Sequence, residues 1–198
     1  MIKFTKSSKE TPYLKLKQKY DDAINANQKN VEAISISSYS INSKEVNSRF
    51  VNLKFIDNKD FIFFSNYNSP KSQDFESHSQ ITALIYWNNI NTQIRLKALI
   101  RRTSNEFNKN YFLDRSEQKN ALAISSNQSK SINSFDNILE NYNKSLEFDD
   151  LKECPEYWGG FSFIPYYFEF WEGHESRLNK RDVYEINEGK WSHSILQP

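Results

Sequence analysis

Thr92-Gln93-Ile94-Arg95-Leu96-Lys97-Ala98-Leu99-Ile100 carries the clearest alternation in the chain: Ile94, Leu96, Ala98 and Ile100 point one way, and Gln93, Arg95 and Lys97 the other. Side chains that alternate with a period of two are those of a strand with one face on a core. Outward from it lie further strand patterns. Val31 to Ser38 sets Ile34 and Ile36 on one face, and Val46 to Ile56 sets Val51, Leu53 and Phe55 on one face. Phe61-Ile62-Phe63-Phe64 and Ile81 to Trp87 read as continuous, fully buried strands. Phe161 to Trp171, Val183 to Ile186 and Trp191 to Leu196 close the series.

Helices interrupt these strands. Thr11-Pro12 reads as a cap followed by an N1 proline, with Tyr13, Leu16, Tyr20, Ala23 and Ile24 at helical spacing behind it. Two more helical stretches are expected from about Ser104 and about Ser131, the second carrying Ile132, Phe135, Leu139, Tyr142 and Leu146. The strands do not alternate with helices as βαβ units. The expected fold is therefore α+β and mainly antiparallel, a small barrel with inserted and flanking helices, built as a single domain over residues 1–198.

Composition narrows the function. Apolar residues make up 37 % of the chain, and 15 Phe and 11 Tyr supply core volume in large pieces. Lys and Arg number 26 against 25 acidic residues, a net charge of +1 that speaks against a nucleic-acid binder. One cysteine, Cys154, allows no intrachain disulfide, and the three histidines lack ligand spacing. No long apolar stretch or targeting segment is visible, so no membrane partner and a cytoplasmic location are expected. Four glycines, three of them late in the chain, exclude a Gly-rich phosphate loop. Any phosphate must be held by side chains, isolated amides or a helix N-terminus.

Cations and amides at strand ends are the candidates for that task. Arg49 and Lys54 lie in Arg49-Phe50-Val51-Asn52-Leu53-Lys54. In Phe64-Ser65-Asn66-Tyr67-Asn68-Ser69-Pro70-Lys71, Ser69 can cap a helix with Pro70 at N1, placing free amides and Lys71 at its positive end. Tyr111, Arg115 and Lys119 share one face if their helix continues through Ser116. A phenol and two cations suit a phosphate dianion; a hydrophobic Phe107–Tyr111 pair with solvated cations fits the spacing equally well. Taken singly, the others have structural readings: Arg49 and Lys54 as surface charges, Gln93 as a solvent-facing strand residue, Trp171 as core.

In their order and spacing these segments resemble the pyridoxamine 5'-phosphate oxidase family over nearly the whole chain. The resemblance rests on Arg49–Lys54, Phe63-Phe64-Ser65-Asn66-Tyr67, Tyr111-Phe112 with Arg115, Ser126-Asn127-Gln128-Ser129, Trp158-Gly159-Gly160-Phe161, and Glu169-Phe170-Trp171-Glu172-Gly173 running on to Arg177-Leu178 and Arg181. It implies an FMN-binding split barrel, a homodimer with FMN at the interface, and an oxidase that turns pyridoxamine or pyridoxine 5'-phosphate into pyridoxal 5'-phosphate. In that chemistry hydride leaves C4' for flavin N5, and O2 is the acceptor. Carried over by motif, Arg49, Lys54, Phe64, Ser65 and Lys71 would bind FMN, the cations and Ser65 on its phosphate side. Gln93, Gln128, Ser129, Trp171 and Arg181 would line it. Lys54, Tyr111, Arg115 and Lys119 would hold the substrate phosphate, and Arg177 and Asn179 would lie against the substrate ring as the catalytic pair. The chain departs from the family pattern at Pro70 and Thr92, where Arg is usual, at Lys119 for Ser, and at Asn179-Lys180 for His-Asp. Asn179 can hydrogen-bond a ring hydroxyl but cannot carry a proton near pH 7. Those departures keep two other readings in play: a related FMN oxidoreductase with another substrate, and a protein that binds FMN or pyridoxal phosphate without turnover.

Overall fold

The computed structural model describes residues 1–198. Its strands are β1 (Lys3–Thr5), β2 (Ala33–Ser40), β3 (Glu45–Asn52), β4 (Phe55–Asp57), β5 (Asp60–Asn66), β6 (Gln80–Trp87), β7 (Thr92–Arg102), β8 (Trp158–Glu172), β9 (Lys180–Asn187) and β10 (Lys190–Ile195). Its helices are α1 (Thr11–Asn25), α2 (Pro70–Ser77), α3 (Asn105–Leu113), α4 (Glu117–Ser125) and α5 (Phe135–Phe148). The strands form one sheet in the order β1-β4-β5-β8-β7-β6-β2-β3, with β9 beside β8 and β10 beyond it. Every pairing is antiparallel except the short β1–β4 contact. This is the α+β split barrel expected from the pattern. No helix is long and apolar enough to cross a membrane.

β8 is the spine. One edge of it pairs with β7 from Phe161 to Glu172; the other pairs with β5 up to Phe163 and with β9 from Tyr167 onward. Pro165 falls in the gap between those two partners, beside the register shift at Lys97/Ala98. A residue that cannot donate to a ladder is tolerated there, and the shift bends the strand. The sheet thereby divides into a half around β5 and a half around β9.

The alternation in β7 holds: Ile94, Leu96 and Ala98 are fully buried. They face Ile34 and Ile36 of β2 and a ring-rich wall of Phe61, Phe63, Phe161, Phe163, Phe168 and Phe170. Each such side chain taken from water contributes about 1.5–3 kcal/mol, so this wall makes up for the low apolar fraction. α1 covers one end of the barrel with Tyr13, Leu16, Tyr20 and Ala23.

Several local expectations are corrected. Ile81 to Trp87 is not buried on both faces; β6 alternates, and Leu84 and Tyr86 face outward. Val46 to Ile56 is not one strand. The chain changes partner at Leu53-Lys54, where Leu53 N–H reaches Glu32 O and Lys54 N–H reaches Ile62 O. The parity slips at this crossing, so that Leu53 and then Ile56, rather than Phe55, are buried. Thr11 is the first helical residue and Glu10 takes the cap position, without a side-chain cap bond. The stretch after Ser104 is two helices instead of one, and α5 begins at Phe135 rather than Ser131.

Candidate functional site

The end of β5, the start of β8 and the α3–α4 connection enclose a cavity of about 210 Å³. Phe64, Ser65, Asn66, Arg115, Lys119, Leu122, Ser126, Gln128 and Trp158 line it. One wall is aromatic. Phe64 stacks on Tyr111 with centroids 4.0 Å apart and on Trp158 at 5.1 Å, while Phe55 meets Tyr111 edge-on. Phe64 is therefore a platform and not merely a strand residue.

Cations gather beside this wall. Tyr111, Arg115 and Lys119 do not lie on one continuous helix, because α3 ends at Leu113 and α4 begins at Glu117. Arg115 sits in the connection and folds back, donating from Nη2 to Lys119 O at 2.9 Å. Its guanidinium lies 4.3 Å from the Trp158 ring centre, a cation–π contact of roughly 0.5–2 kcal/mol. Its Nη1 is buried without any partner. Burial pushes the Lys54 ammonium below its ordinary value; Glu32 opposes this, and Lys119 and Arg115 push it further down. Burial likewise raises Tyr111, with Arg115 acting against it. Lys54, Lys119 and Arg115 thus stand close enough to repel one another, and Glu32, itself 3.4 Å from the Met1 ammonium, offsets Lys54 alone.

A second polar cluster is continuous with the first through Ser65. Lys71 Nζ donates to Ser65 Oγ at 3.0 Å and to Ser69 Oγ at 3.1 Å. Ser65 Oγ donates on to Gln128 Oε1 at 3.0 Å, which also accepts Asn66 N–H at 3.2 Å. Lys71 is buried and has no carboxylate partner; burial, with a contribution from Arg49, lowers its pKa to about 8. Ser69 takes the cap position of α2, but its hydroxyl bonds Asn66 O and gives no cap hydrogen bond. Arg49 is not a free surface charge. It donates to Ser38 Oγ at 2.7 Å and to Ile36 O, and stands 3.7 Å from Asp74.

Gln93, Trp171 and Arg181 form a third group, directly opposite one another across β7, β8 and β9. Arg181 is committed to the buried Glu169, donating from Nε at 2.9 Å, and to Gln197 O. Glu169 also binds Arg95 and accepts Tyr167 O–H at 3.0 Å. The loop after β8 presents Arg177, which has no side-chain partner, and Asn179, whose Oδ1 accepts His174 N–H at 3.0 Å.

The structure therefore brings Lys54, Phe64, Ser65, Lys71, Tyr111, Arg115, Lys119 and Gln128 together, with Arg49 next to Lys71. It does not bring Gln93, Trp171, Arg177, Asn179 and Arg181 to them. The two groups stand at opposite ends of β8, a strand that would span on the order of 45 Å if straight. Ser129 is separate again. It turns away from Gln128 with φ of 68° and lines a larger cavity of about 530 Å³ beyond Leu122 and Ser126. Trp158, Asn66, Leu122 and Ser126 carried no role in the sequence reading. The Trp158-Gly159-Gly160 motif was the available signal: a Cβ on Gly159 would lie 2.1 Å from Tyr67 Oη and 2.4 Å from Asn108 Nδ2. Asn108 fastens α3 to β8 by accepting Gly160 N–H at 2.8 Å and donating to Tyr67 Oη at 3.0 Å.

Comparisons with known proteins bear on the fold and the family. Residues 158–198 match the family described as the pyridoxine 5'-phosphate oxidase C-terminal dimerisation region. The chain is 30 % identical over 181 residues to the pyridoxine/pyridoxamine 5'-phosphate oxidase of Herminiimonas arsenicoxydans, covering 90 % of this chain and 85 % of that one. It is 34 % identical over 139 residues to the enzyme of that name from Coxiella burnetii, covering 70 % and 71 %. Against the Psychromonas ingrahamii relative, at 35 % identity, the match spans 72 % of this chain and just under two thirds, 66 %, of the relative. Among solved structures, PhzG from Burkholderia lata 383, in complex with tetrahydrophenazine-1-carboxylic acid, superposes with a TM-score of 0.89 at 22 % identity over 94 % of this chain and 92 % of that one. A pyridoxamine 5'-phosphate oxidase-related, FMN-binding protein from Nostoc punctiforme superposes with a TM-score of 0.78 at 12 % identity, over 96 % and 99 %. These two show the same fold. The sequence relatives go further: the chain belongs to the pyridoxine/pyridoxamine 5'-phosphate oxidase family.

Proposed function

We propose that residues 1–198 form a single FMN-binding domain that oxidises pyridoxamine or pyridoxine 5'-phosphate to pyridoxal 5'-phosphate, with O2 as acceptor. The observation that carries this reading is the buried, partnerless Nη1 of Arg115, flanked by Lys54 and Lys119 beside the Phe64–Tyr111 stack. A buried donor without a partner costs roughly 1–3 kcal/mol, so an acceptor that fills the place regains that much. Three neighbouring cations, of which only Lys54 faces a carboxylate, favour a phosphate dianion over a singly charged carboxylate such as the ligand of the PhzG complex. Tyr111, Arg115, Lys54 and Lys119 would anchor that phosphate.

The fit to FMN rests on Lys71. A buried ammonium hydrogen-bonded only to two serine hydroxyls suits the flavin phosphate, with Ser65, Gln128 and Arg49 around it. Gln93, Trp171 and Arg181 would line the flavin from the far end of β8, and Arg177 would lie against the substrate ring. One chain holds these groups apart, so a homodimer in which each copy supplies one group to the other's site accounts for both. The match to a dimerisation region over 158–198 supports that arrangement. Bound FMN would supply the hydride acceptor and the link to O2; the chain's own residues anchor the phosphate and orient the ring, bringing the reacting atoms within roughly 3–3.5 Å.

The test is an anaerobic flavin spectrum of the FMN-loaded protein before and after addition of pyridoxine 5'-phosphate. Loss of the oxidised band with formation of pyridoxal phosphate is the expected result. An unchanged spectrum with pyridoxine 5'-phosphate and with pyridoxamine 5'-phosphate would refute the assignment of substrate.

A further inference from the structure

The loop that carries Arg177 runs from Gly173 to Asn179 and has no packed core of its own; Leu178 at its tip is 69 % exposed. Arg177 nevertheless holds φ at 60°, in the left-handed region. That conformation costs a non-glycine residue roughly 1 kcal/mol or more and persists only when neighbours impose it. Hydrogen bonds impose it here. Asn179 Oδ1 accepts His174 N–H at 3.0 Å, closing the loop from its first turn to its last residue. His174 Nδ1 accepts Ser176 N–H at 3.2 Å, and His174 O accepts Arg177 N–H at 2.9 Å. Gly173 N–H ties the loop's base to Asn91 O at 3.0 Å.

We propose that His174 and Asn179 are positioning residues: together they clasp the loop so that Arg177 is preset in the geometry in which it meets the substrate ring. The inference rests on the proposed role of Arg177 as the ring contact. It also revises the part given to Asn179. Because a backbone N–H can only donate, the Asn179 oxygen is fixed inward on His174. What remains is Nδ2, a donor with no protein partner. A ligand atom meeting Asn179 must therefore be an acceptor, such as an oxygen on the pyridine ring. Asn179 does not move a proton in this arrangement.

The experiment uses the FMN-loaded full chain and the variants R177A, N179A, H174A, N179D and H174N. The last two return an acceptor oxygen near the lost one. Amide hydrogen exchange reads the clasp directly, at His174 for Asn179 variants and at Ser176 for His174 variants. Exchange is expected to speed up roughly tenfold in N179A and H174A and to recover in N179D and H174N. With pyridoxine 5'-phosphate, kcat is expected to fall about tenfold in N179A and H174A while KM stays within about twofold, since the phosphate anchor is untouched. H174A should not lower kcat further when added to R177A, and a merely structural loss would instead be additive. Unchanged exchange in N179A and H174A overturns the clasp. Faster exchange with wild-type kcat, while R177A is impaired, overturns the positioning role alone. Wild-type kinetics in R177A would overturn the reading of Arg177 and this proposal with it.

Discussion

Lys71→Met should make the ligand-free protein more stable at neutral pH while weakening its hold on FMN. Lys71 is 9 % exposed as a residue, and its ammonium lacks a carboxylate partner and has its pKa lowered from 10.5 to about 8, by burial first and Arg49 second. A fall of that size corresponds to roughly 3 kcal/mol between its two protonation states, an order-of-magnitude figure. Below pH 8 the folded and unfolded chains both carry the proton, and the whole penalty falls on the folded state. Between pH 8 and 10.5 the folded chain has released the proton and the unfolded chain keeps it, so wild-type stability climbs with pH across that window. The methionine variant has no such slope. Its advantage should be about 1–3 kcal/mol at pH 7 and should shrink towards pH 10. Removing the ammonium strands neither serine, because Ser65 Oγ still donates to Gln128 and Ser69 Oγ to Asn66 O. With FMN present the order reverses: a lost charge-assisted bond to a phosphate is worth about 1.5–3 kcal/mol, or roughly 10- to 150-fold in Kd. Denaturant titration without FMN at pH 7 and pH 10, and flavin titration at pH 7, measure both halves. A variant less stable than wild type at pH 7, or a stability difference that ignores pH, would refute the argument from burial.

Arg115→Met should raise KM for pyridoxine 5'-phosphate about 10- to 100-fold and leave kcat within about twofold, because a phosphate anchor acts alike on ground and transition states. Thermal denaturation without ligand should show a loss of no more than about 2 kcal/mol, since the Trp158 contact and the bond to Lys119 O are given up while the partnerless Nη1 is relieved; steady-state kinetics with unchanged KM would count against the phosphate site. Gly159→Ala drives a methyl into Tyr67 Oη and Asn108 Nδ2, so about 2–4 kcal/mol of stability should be lost, read as a Tm lowered by roughly 5–15 °C. Pro70→Arg restores a cation at the exposed N1 position of α2, and FMN Kd from fluorescence quenching should tighten about tenfold, with a steeper salt dependence than wild type. Mixing unfolded Arg115→Met and Arg177→Ala chains and refolding them together should yield about one quarter of wild-type sites, one in each mixed dimer; activity no higher than either parent would mean that a site draws on one copy.

The barrel was readable wherever one periodicity ran without interruption. Ile94 to Ile100 alternates for a full strand, and its inward set is buried as expected. Reading faltered where the chain changes partner. Val51, Leu53 and Phe55 have the spacing of one face, yet Leu53-Lys54 is the crossing between two halves of the sheet, and nothing in the local pattern marks a change of neighbour. Ile81 to Trp87 misled for another reason. Leu84 and Tyr86 face outward as apolar residues, so the strand lacks the polar alternation that solvent exposure ordinarily writes into a sequence. In the candidate site, Tyr111, Arg115 and Lys119 come near one another but not along one helix: the turn at Asp114–Ser116 does by folding back what spacing by four would have done along one face. Trp158 and Asn108 act through contacts far along the chain, with Phe64 and with Tyr67 and Gly160, and such contacts leave no signature at either end.

The departures from the family pattern make sense together once each has a place. Pro70 is exposed at the start of α2, next to Lys71, where a cation would face the proposed flavin phosphate. Thr92, 1 % exposed, bonds Ile90 O at 2.9 Å and serves the turn into β7, a task that leaves no charge beside Gln93. Both changes remove a cation from what is proposed as the flavin side. Lys119 adds one on the other side, beside Arg115 and Lys54. Two cations are thus lost on the proposed cofactor side and one is gained on the proposed substrate-phosphate side, which shifts the balance of charge toward the latter. On that account the chain should hold its substrate anion firmly and its flavin less so, the flavin's retention then depending on the ring contacts that the second copy supplies. Asn179 fits the same account: were the proposed phosphate held by the three cations, the ring end would need only orientation, which a clasped loop with a fixed donor would provide.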